Sequence, residues 1–345
     1  MDAATLTAPP EFSRLVDLKY RWPARYLVSW AALAAVLAFA GLLQPDTFGR
    51  FSVQLITGLA GCLLVASLGQ NLVVMTGSID LSVPALMTLA AALSVHLAGQ
   101  TASAESFALA IALCAAISAV TGALISYLRL NALIVTFAMN AIIAAALTIW
   151  LGQSFSSTGQ TAGWLRSVAA GTTLGVSTLF WLALILAAAT AAVLSRTRPG
   201  RRVAAVGANR TAAHLLGARV GLITTASFAV AGAFYAIAGS FVAGLVHVPD
   251  AGLGDPYQLT TITVVAIAGT SFAGGSSSIA SLVAATLLLE TLDQVLALQN
   301  LSPGALDTVQ GALLVAAVSL NTWTQLGRHG FHRIRASFGS LRTPG

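Results

Sequence analysis

Charged residues are scarce in this chain of 345 residues: 8% are charged, whereas 57% are hydrophobic. Soluble domains carry roughly a quarter of their residues as charged side chains. A water-soluble core is therefore excluded, and lipid surrounds most of the chain. The net charge of +6 would suggest nucleic acid in a soluble protein. Here the arginines lie at span ends and in loops, which indicates membrane topology and membrane lipids as partners, and no nucleic acid.

Lysine and cysteine are almost absent. The single lysine, Lys19, precedes the first apolar segment, whereas a P-loop needs its lysine between a glycine-rich turn and a helix. The chain therefore has no P-loop for ATP hydrolysis, and we expect it not to be an enzyme. The two cysteines, Cys62 and Cys114, both lie in apolar stretches, which predicts buried free thiols and excludes a disulfide framework.

Long apolar segments are abundant, and about 20 apolar residues suffice for one membrane crossing. The sequence predicts an all-α polytopic membrane protein with about ten transmembrane helices. It divides into a cytoplasmic segment over residues 1–25, a transmembrane domain over 26–322 and a basic cytoplasmic tail over 323–345. The predicted spans are Tyr26–Leu43, Phe51–Met75, Val83–Leu97, Ser106–Tyr127, Leu133–Leu151, Val176–Leu194, Leu222–Val246, Leu259–Phe272, Ile279–Gln299 and Ala305–Asn321. The polar N-terminus is too long before its first apolar run for a cleaved signal peptide.

The segment Leu259–Phe272 is short and rich in Thr, Ser and Gly. It is either a full span or a broken, half-inserted helix. A full span is favoured because an even number of crossings leaves the arginines of both termini on the same side of the membrane. With ten spans, both termini are cytoplasmic and about fifteen of the seventeen basic residues fall on the inner side, as the positive-inside rule requires. The two exceptions are Arg50 and Arg166.

A basic island, Ser195–Gly221, interrupts the apolar sequence with six arginines and no carboxylate. Arginine-rich short loops stay on the cytoplasmic side of a membrane. Its second half, Arg210–Leu216, is predicted to form a short helix with an apolar stripe. Such a helix either docks a soluble partner or belongs to a loop that only fixes topology, and the spacing alone leaves both open.

Polar residues at membrane depth are costly, roughly 2.5–3.5 kcal/mol for a carboxylate or arginine at a helix centre. Asp80 lies in a Gly/Ser turn, where we expect it to cap the following helix rather than to contact substrate. Asn140 and Thr148 are expected to bridge helices. The candidate residues lining a translocation path are Gln70, Asn71, Asp80, Ser82, Asn140, Thr270 and Asp293.

Catalytic and metal chemistry find little support. Glu290 and Asp293 share a helical face, as in glycosidase carboxylate pairs, but a span offers no sugar cleft, so a pore-facing or interface role is favoured. The five histidines have no cysteine or carboxylate at metal-site spacing, which predicts no metal and no cofactor. Five glycines are expected to allow close helix packing: Gly232, Gly239, Gly269, Gly274 and Gly275. Three classes remain: a passive or ion-coupled transporter, the membrane subunit of a pump powered elsewhere, and a membrane-embedded enzyme.

Three stretches of the sequence resemble the permease subunits of bacterial ATP-binding-cassette sugar importers of the ribose, xylose and galactose type. They are Leu68–Pro84 with its Gly-Ile-Asp-Leu-Ser-like core, the basic island with its ordered Gly, Asn and Ala residues, and Ala251–Ser276. The sequence departs from that pattern at four places. Pro84 stands where the family commonly has Gly, and Asn131 stands where it commonly has Pro. Ser276 replaces a frequent Arg, and Asp293-Gln294 replaces a usual Asn pair. Because they lie on or beside span faces, these departures bear on the substrate more than on the fold.

The resemblance implies a type II importer permease of the bacterial inner membrane. Two permease copies or homologues would form the path for a monosaccharide or related polyol, a cytoplasmic ATPase would supply the energy, and a periplasmic sugar-binding protein would deliver the substrate. The coupling loop over residues 196–221 would contact the ATPase through Gly207, Ala208, Asn209, Ala212, Ala213, Leu216 and Gly217. A permease for nucleosides or branched-chain amino acids and, from another class, an ion-coupled transporter remain as alternatives.

Overall fold

The structure, a computed structural model, describes residues 24–96, 103–151, 161–246 and 250–299, together with 304, 308, 309, 311–316 and 319. The N-terminal residues before position 24 and the basic tail lie outside the described residues. In the predicted span Ala305–Asn321, residues 308, 309, 311–316 and 319 are described, and all of them are helical. Between residues 24 and 299, twelve α-helices and one β-hairpin follow one another along the described chain.

Most of the described chain is helical. The helices are α1 Ala24–Leu43, α2 Arg50–Met75, α3 Val83–His96, α4 Ser103–Tyr127, α5 Ala132–Leu151, α6 Gly163–Ala170, α7 Thr178–Arg196, α8 Arg198–Ala208, α9 Arg210–Leu215, α10 Val220–Leu245, α11 Tyr257–Ile267 and α12 Ile279–Leu298. A short 3-10 turn, Pro45–Phe48, joins α1 to α2. The hairpin pairs β1 Thr172–Thr173 with β2 Val176–Ser177.

Six of these helices are long and apolar enough to cross a membrane: α2, α4, α5, α7, α10 and α12. Three shorter apolar helices, α1, α3 and α11, add to them within the described chain. The molecule is therefore a polytopic membrane protein, as the composition predicts. The number of ten crossings and the side on which the termini lie stay predictions.

The centre of the bundle is formed by α2 and α10, whose side chains are mostly buried. α10 packs against α4, α2 and α3, and α2 also contacts α7 and α12. Glycines make these contacts close: a β-carbon at Gly232 would overlap the backbone of Cys114 on α4, and one at Gly239 would overlap Met87 on α3. The expected packing role is thus confirmed at both positions. Cys62 and Cys114 are buried free thiols, also as predicted.

The segment Leu259–Phe272, for which a full span was favoured, is not one continuous helix. Its helix, α11, covers only Tyr257–Ile267, about 16 Å at 1.5 Å per residue, against a hydrocarbon core of about 30 Å. The chain then leaves the helix at Gly269, which adopts a left-handed φ of 78°. Residues 268–278 continue without regular structure to α12. The segment is a broken helix, so Gly269 serves a turn and not helix packing.

Two further elements are absent from the sequence-based prediction. The polar stretch before α7 contains α6 and the hairpin, in which Thr172 pairs with Ser177. The Ser177 N–H donates to the Thr57 hydroxyl of α2 at 3.0 Å, which fixes the hairpin to the bundle. The first half of the basic island, expected to be a loop, is helix α8; Thr197 caps it by accepting from the Gly200 N–H at 3.3 Å.

Candidate coupling and translocation site

The chain is broken between α2 and α3, and Asp80 organises the break. Its Oδ1 accepts hydrogen bonds from the N–H and the hydroxyl of Ser82 at 2.8 and 2.6 Å. Both side chains are fully buried. Asp80 therefore closes the turn in front of α3. It does not accept a hydrogen bond from an amide inside that helix, as a capping residue would. Its Oδ2 has no partner among the described residues.

The cap of α3 comes from another helix. Asn140 of α5 accepts a hydrogen bond from the Ala85 N–H at 3.1 Å, one of the first-turn amides that have no acceptor within the helix. Asn140 is thus a helix-bridging residue, as expected. Thr148 is not, because its hydroxyl donates to the Ala144 carbonyl of its own helix. Asn140 has a structural role that ties α5 to the break.

Gln70 joins α2 to α10 beside the same break. Its Oε1 accepts a hydrogen bond from the Tyr235 hydroxyl at 3.1 Å, and both side chains are completely buried. The Gln70 amide nitrogen has no partner within the described residues. A buried amide donor and a buried carboxylate acceptor, on Gln70 and Asp80, are therefore left unsatisfied in the same region of the bundle.

Asn71 connects α2 to the irregular segment that follows α11. Its Oδ1 accepts from the Thr270 hydroxyl at 2.9 Å, and its amide nitrogen donates to the Ser277 hydroxyl at 3.1 Å. Ser277 in turn donates to the Met75 sulfur at 3.2 Å. The structure thus brings the predicted path residues Asn71 and Thr270 into direct contact and adds Ser277, which sequence reasoning did not select.

The basic island contacts the end of α2 through backbone groups. The backbone of Gly207 lies so close to the Met75 carbonyl that no β-carbon fits between them. The same carbonyl accepts a hydrogen bond from the Gly275 N–H at 3.0 Å. Arg210 donates to the Thr76 carbonyl, also at 3.0 Å. We name the group Met75, Thr76, Gly207, Arg210 and Gly275 the junction.

Helix α9 presents two large apolar side chains outward. Leu215 and Leu216 are 81% and 89% exposed, although they belong to the most basic loop of the chain. Asn209 caps α9 by accepting from the Ala212 N–H at 2.9 Å, and Gly217 ends the turn with a φ of 83°. Leu215 belonged to the predicted apolar stripe but not to the predicted contact residues.

The remaining candidates divide by exposure. Ala208 and Ala212 are exposed beside the two leucines, whereas Ala213 is 4% exposed and faces the bundle. Asp293 lies on α12 beside Glu290, roughly 20 Å along the helix axis from the Ser277 end. Asp293 is thus remote from the cluster around Asn71, and the predicted path residues do not form one site.

Comparison with known protein families decides the class. The family described as "Branched-chain amino acid transport system / permease component" matches residues 52–318. The chain belongs to this permease family. The match covers the helices from α2 onward, including the break, the junction and α9.

Individual relatives of this permease are import permeases. The ribose import permease protein RbsC of Escherichia coli K12 is 30% identical over 303 residues, covering 86% of this chain and 94% of the relative. The autoinducer 2 import system permease protein LsrC of Escherichia coli K12 is 28% identical over 291 residues, covering 84% of each chain. LsrC of Salmonella paratyphi A is 24% identical over 302 residues. No solved structure matches the permease.

In the permease, three features are contiguous. The exposed leucines of α9 follow Arg210, which bonds to the end of α2. One turn back along α2, Asn71 holds Thr270 and Ser277. Hydrogen bonds and backbone contacts therefore join the basic island, α2 and the broken segment after α11.

Proposed function

We propose that this permease forms the translocation path of an ATP-driven importer for a small sugar-like molecule in a bacterial inner membrane. Helix α9 docks on a cytoplasmic ATPase, and a periplasmic binding protein delivers the substrate on the opposite side. A second permease copy or homologue completes the path. Both termini and the basic island are cytoplasmic in this arrangement.

Docking at α9 is supported by the exposure of its leucines. Burying one leucine side chain contributes about 1.5–3 kcal/mol, so leaving Leu215 and Leu216 in water is costly unless a partner covers them. The surrounding arginines favour a water-facing cover over the acyl region of the membrane, because a charged residue there is costly. A soluble protein surface with an apolar groove fits both properties.

Transmission from α9 to the membrane interior is the observation that carries the proposal. The junction fixes the basic island to the end of α2, and Asn71 fixes α2 to the segment after α11. An ATPase shifts the equilibrium between outward-open and inward-open states only if its contacts differ between them. Movement of α9 supplies that difference. The helices bend at the first break, between α2 and α3, and at the second break, between α11 and α12.

The substrate class is supported by the unsatisfied polar atoms at the first break. A hydroxyl group both donates and accepts hydrogen bonds, so hydroxyl groups suit both the Gln70 amide donor and the Asp80 carboxylate acceptor. The relative that is 30% identical is named as a ribose import permease, and ribose carries several hydroxyl groups. Autoinducer 2 is the second named cargo. The family description instead names branched-chain amino acids, which makes these the second candidate.

Docking is tested by a matched pair of leucines. Leu216 and Leu174 are both 89% exposed, but Leu174 is at the tip of the hairpin. In complexes purified through a tag on this chain, Leu216→Asp should reduce the bound ATPase at least tenfold and abolish uptake. Leu174→Asp should leave both unchanged. Full ATPase recovery with Leu216→Asp and Leu215→Asp combined would refute docking at α9.

The substrate is tested by uptake into vesicles that contain the purified complex. Labelled ribose should enter in a saturable, ATP-dependent way that excess leucine does not inhibit. Inhibition by leucine, with no ribose uptake, would favour the amino-acid alternative. Uptake without ATP that collapses with an ionophore would instead indicate an ion-coupled transporter and direct attention to Glu290 and Asp293.

A further inference from the structure

A cavity of about 1070 Å³ opens at the basic-island end of the bundle. It lies between the end of α4, the turn that joins α4 to α5, helix α9 and the start of α10. Three arginines, Arg129, Arg210 and Arg219, line it together with His214. No aspartate or glutamate is among the described residues that line it. The charge of this lining favours a negatively charged occupant.

One part of the cavity wall is apolar. It is formed by Ile125, Leu130, Val220 and Leu222, all at or near the ends of spanning helices. Leu130 and Leu222 are 46% and 53% exposed, so this wall continues into the outer surface of the bundle. Tyr127, at the end of α4, is 63% exposed, as is typical of aromatic residues at a membrane interface.

The positive side is built at a conformational cost. Arg129 has a left-handed φ of 56°, a conformation that arginine rarely adopts and that glycine or asparagine adopts more easily. Strained residues of this kind cluster where ligands bind. Within the described chain, the side chains of Arg129 and Arg219 have no hydrogen bond or ion pair, while Arg210 gives one bond to Thr76. Both free guanidinium groups are available to an anion.

We infer that this cavity binds the phosphate headgroup of an anionic lipid, with the arginines on the phosphate and the acyl chains along the apolar wall. Arginine matches phosphate oxygens with two parallel hydrogen bonds. Basic pockets between spanning helices on the cytoplasmic side bind such headgroups. A free phosphate ion would use the arginines alone and leave the apolar wall without a role, so the lipid explains more of the cavity.

The test is lipid retention by the detergent-purified permease, measured by native mass spectrometry. Phosphatidylglycerol is the probe, phosphatidylcholine the neutral comparison, and inorganic phosphate a competitor. One arginine near an anionic surface contributes about fivefold in affinity, so Arg129→Gln with Arg219→Gln should lower phosphatidylglycerol retention on the order of tenfold or more. Arg198→Gln with Arg202→Gln is the matched control, since both residues are exposed on α8 and neither lines the cavity.

Each outcome decides between the lipid site and its competitors. Selective loss with the cavity pair supports the site. Equal loss with both pairs would show only general attraction to the basic island and would overturn it. Displacement of the lipid by millimolar phosphate would assign the arginines to the free ion. If the cavity pair retained phosphatidylglycerol normally but lost the bound ATPase, the cavity would be assigned to an acidic protein surface.

A single variant separates binding from folding. Arg129→Gly relieves the left-handed backbone conformation while removing the charge. It should therefore retain phosphatidylglycerol about fivefold less well while its thermal unfolding in detergent is no lower than that of the wild type. Normal retention by this variant would remove Arg129 from the site.

Discussion

The backbone of Gly207 lies on the carbonyl group of Met75, at the place where α2 ends and the first break begins. Gly275 from the second break donates to the same carbonyl oxygen at 3.0 Å. One backbone oxygen is therefore shared by the basic island and by both broken segments. Any side chain inserted there separates all three.

Gly207→Ala should uncouple transport at the junction. A β-carbon at this position overlaps rigid backbone, and overpacking of this kind costs about 1–3 kcal/mol. We expect substrate uptake to fall at least tenfold while the ATPase stays bound, because α9 itself is unchanged. Uptake in vesicles and ATPase recovery measure the two effects. Gly163→Ala is the control, since nothing lies within 4 Å of its β-carbon position, and wild-type uptake by Gly207→Ala would contradict the prediction.

Thr270→Val should weaken the link between α2 and the second break. The change keeps the shape of the side chain and removes the hydroxyl that donates to Asn71 at 2.9 Å. The loss of one buried hydrogen bond costs about 1 kcal/mol, seen as a lower midpoint of thermal unfolding in detergent. Thr148→Val makes the same chemical change on an exposed face and should shift the midpoint much less. Equal shifts would show that the Asn71 contact contributes nothing.

Asn140→Leu should expose the first turn of α3. Removing a cap costs about 0.5–2 kcal/mol, and here the cost falls on the Ala85 amide. Hydrogen exchange should become faster over residues 83–90. Asn131→Leu, which removes a local cap at Leu133, should accelerate exchange at the start of α5 instead. The same exchange pattern for both variants would refute the cross-helix cap.

Asp255→Asn should stabilise the permease at neutral pH. Partial burial and, second, the nearby Asp250 carboxylate raise the pKa of Asp255 above its usual value of 3.8. Ionisation is therefore disfavoured in the folded state, and stability is lost as the pH rises from 3.8 through the folded pKa. The asparagine variant should unfold at a slightly higher temperature at pH 7 and show no advantage below pH 3.8. An advantage that grows at low pH would contradict this sign.

The spanning helices were predictable because their signal is local. Hydrophobic runs place α2 and α10 within a few residues of their true ends. Helix α8 was missed because its sequence is polar and basic, although Thr197 at the cap position and Pro199 in the first turn are recognisable start signals. The break after α11 was one of two alternatives that the Thr-, Ser- and Gly-rich sequence left open, and the count of spans favoured the other one; Gly269 ends the helix through its backbone conformation.

The candidate site was only partly predictable, because its contacts join residues far apart in sequence. Hydropathy and polarity selected Asn71 and Thr270 separately, but their hydrogen bond spans 199 positions. Ser277 carried no signal that distinguishes it from the neighbouring serines. Arg210 was noted as one of six arginines, and only the fold shows that it bonds to the end of α2.

The cap of α3 by Asn140 also sets an order of events during biogenesis. Asn140 is synthesised 55 residues after Ala85, so the first turn of α3 has no such acceptor while the ribosome is still completing α4. Maturation of the first break therefore waits until α5 has entered the bilayer and turned back against α3.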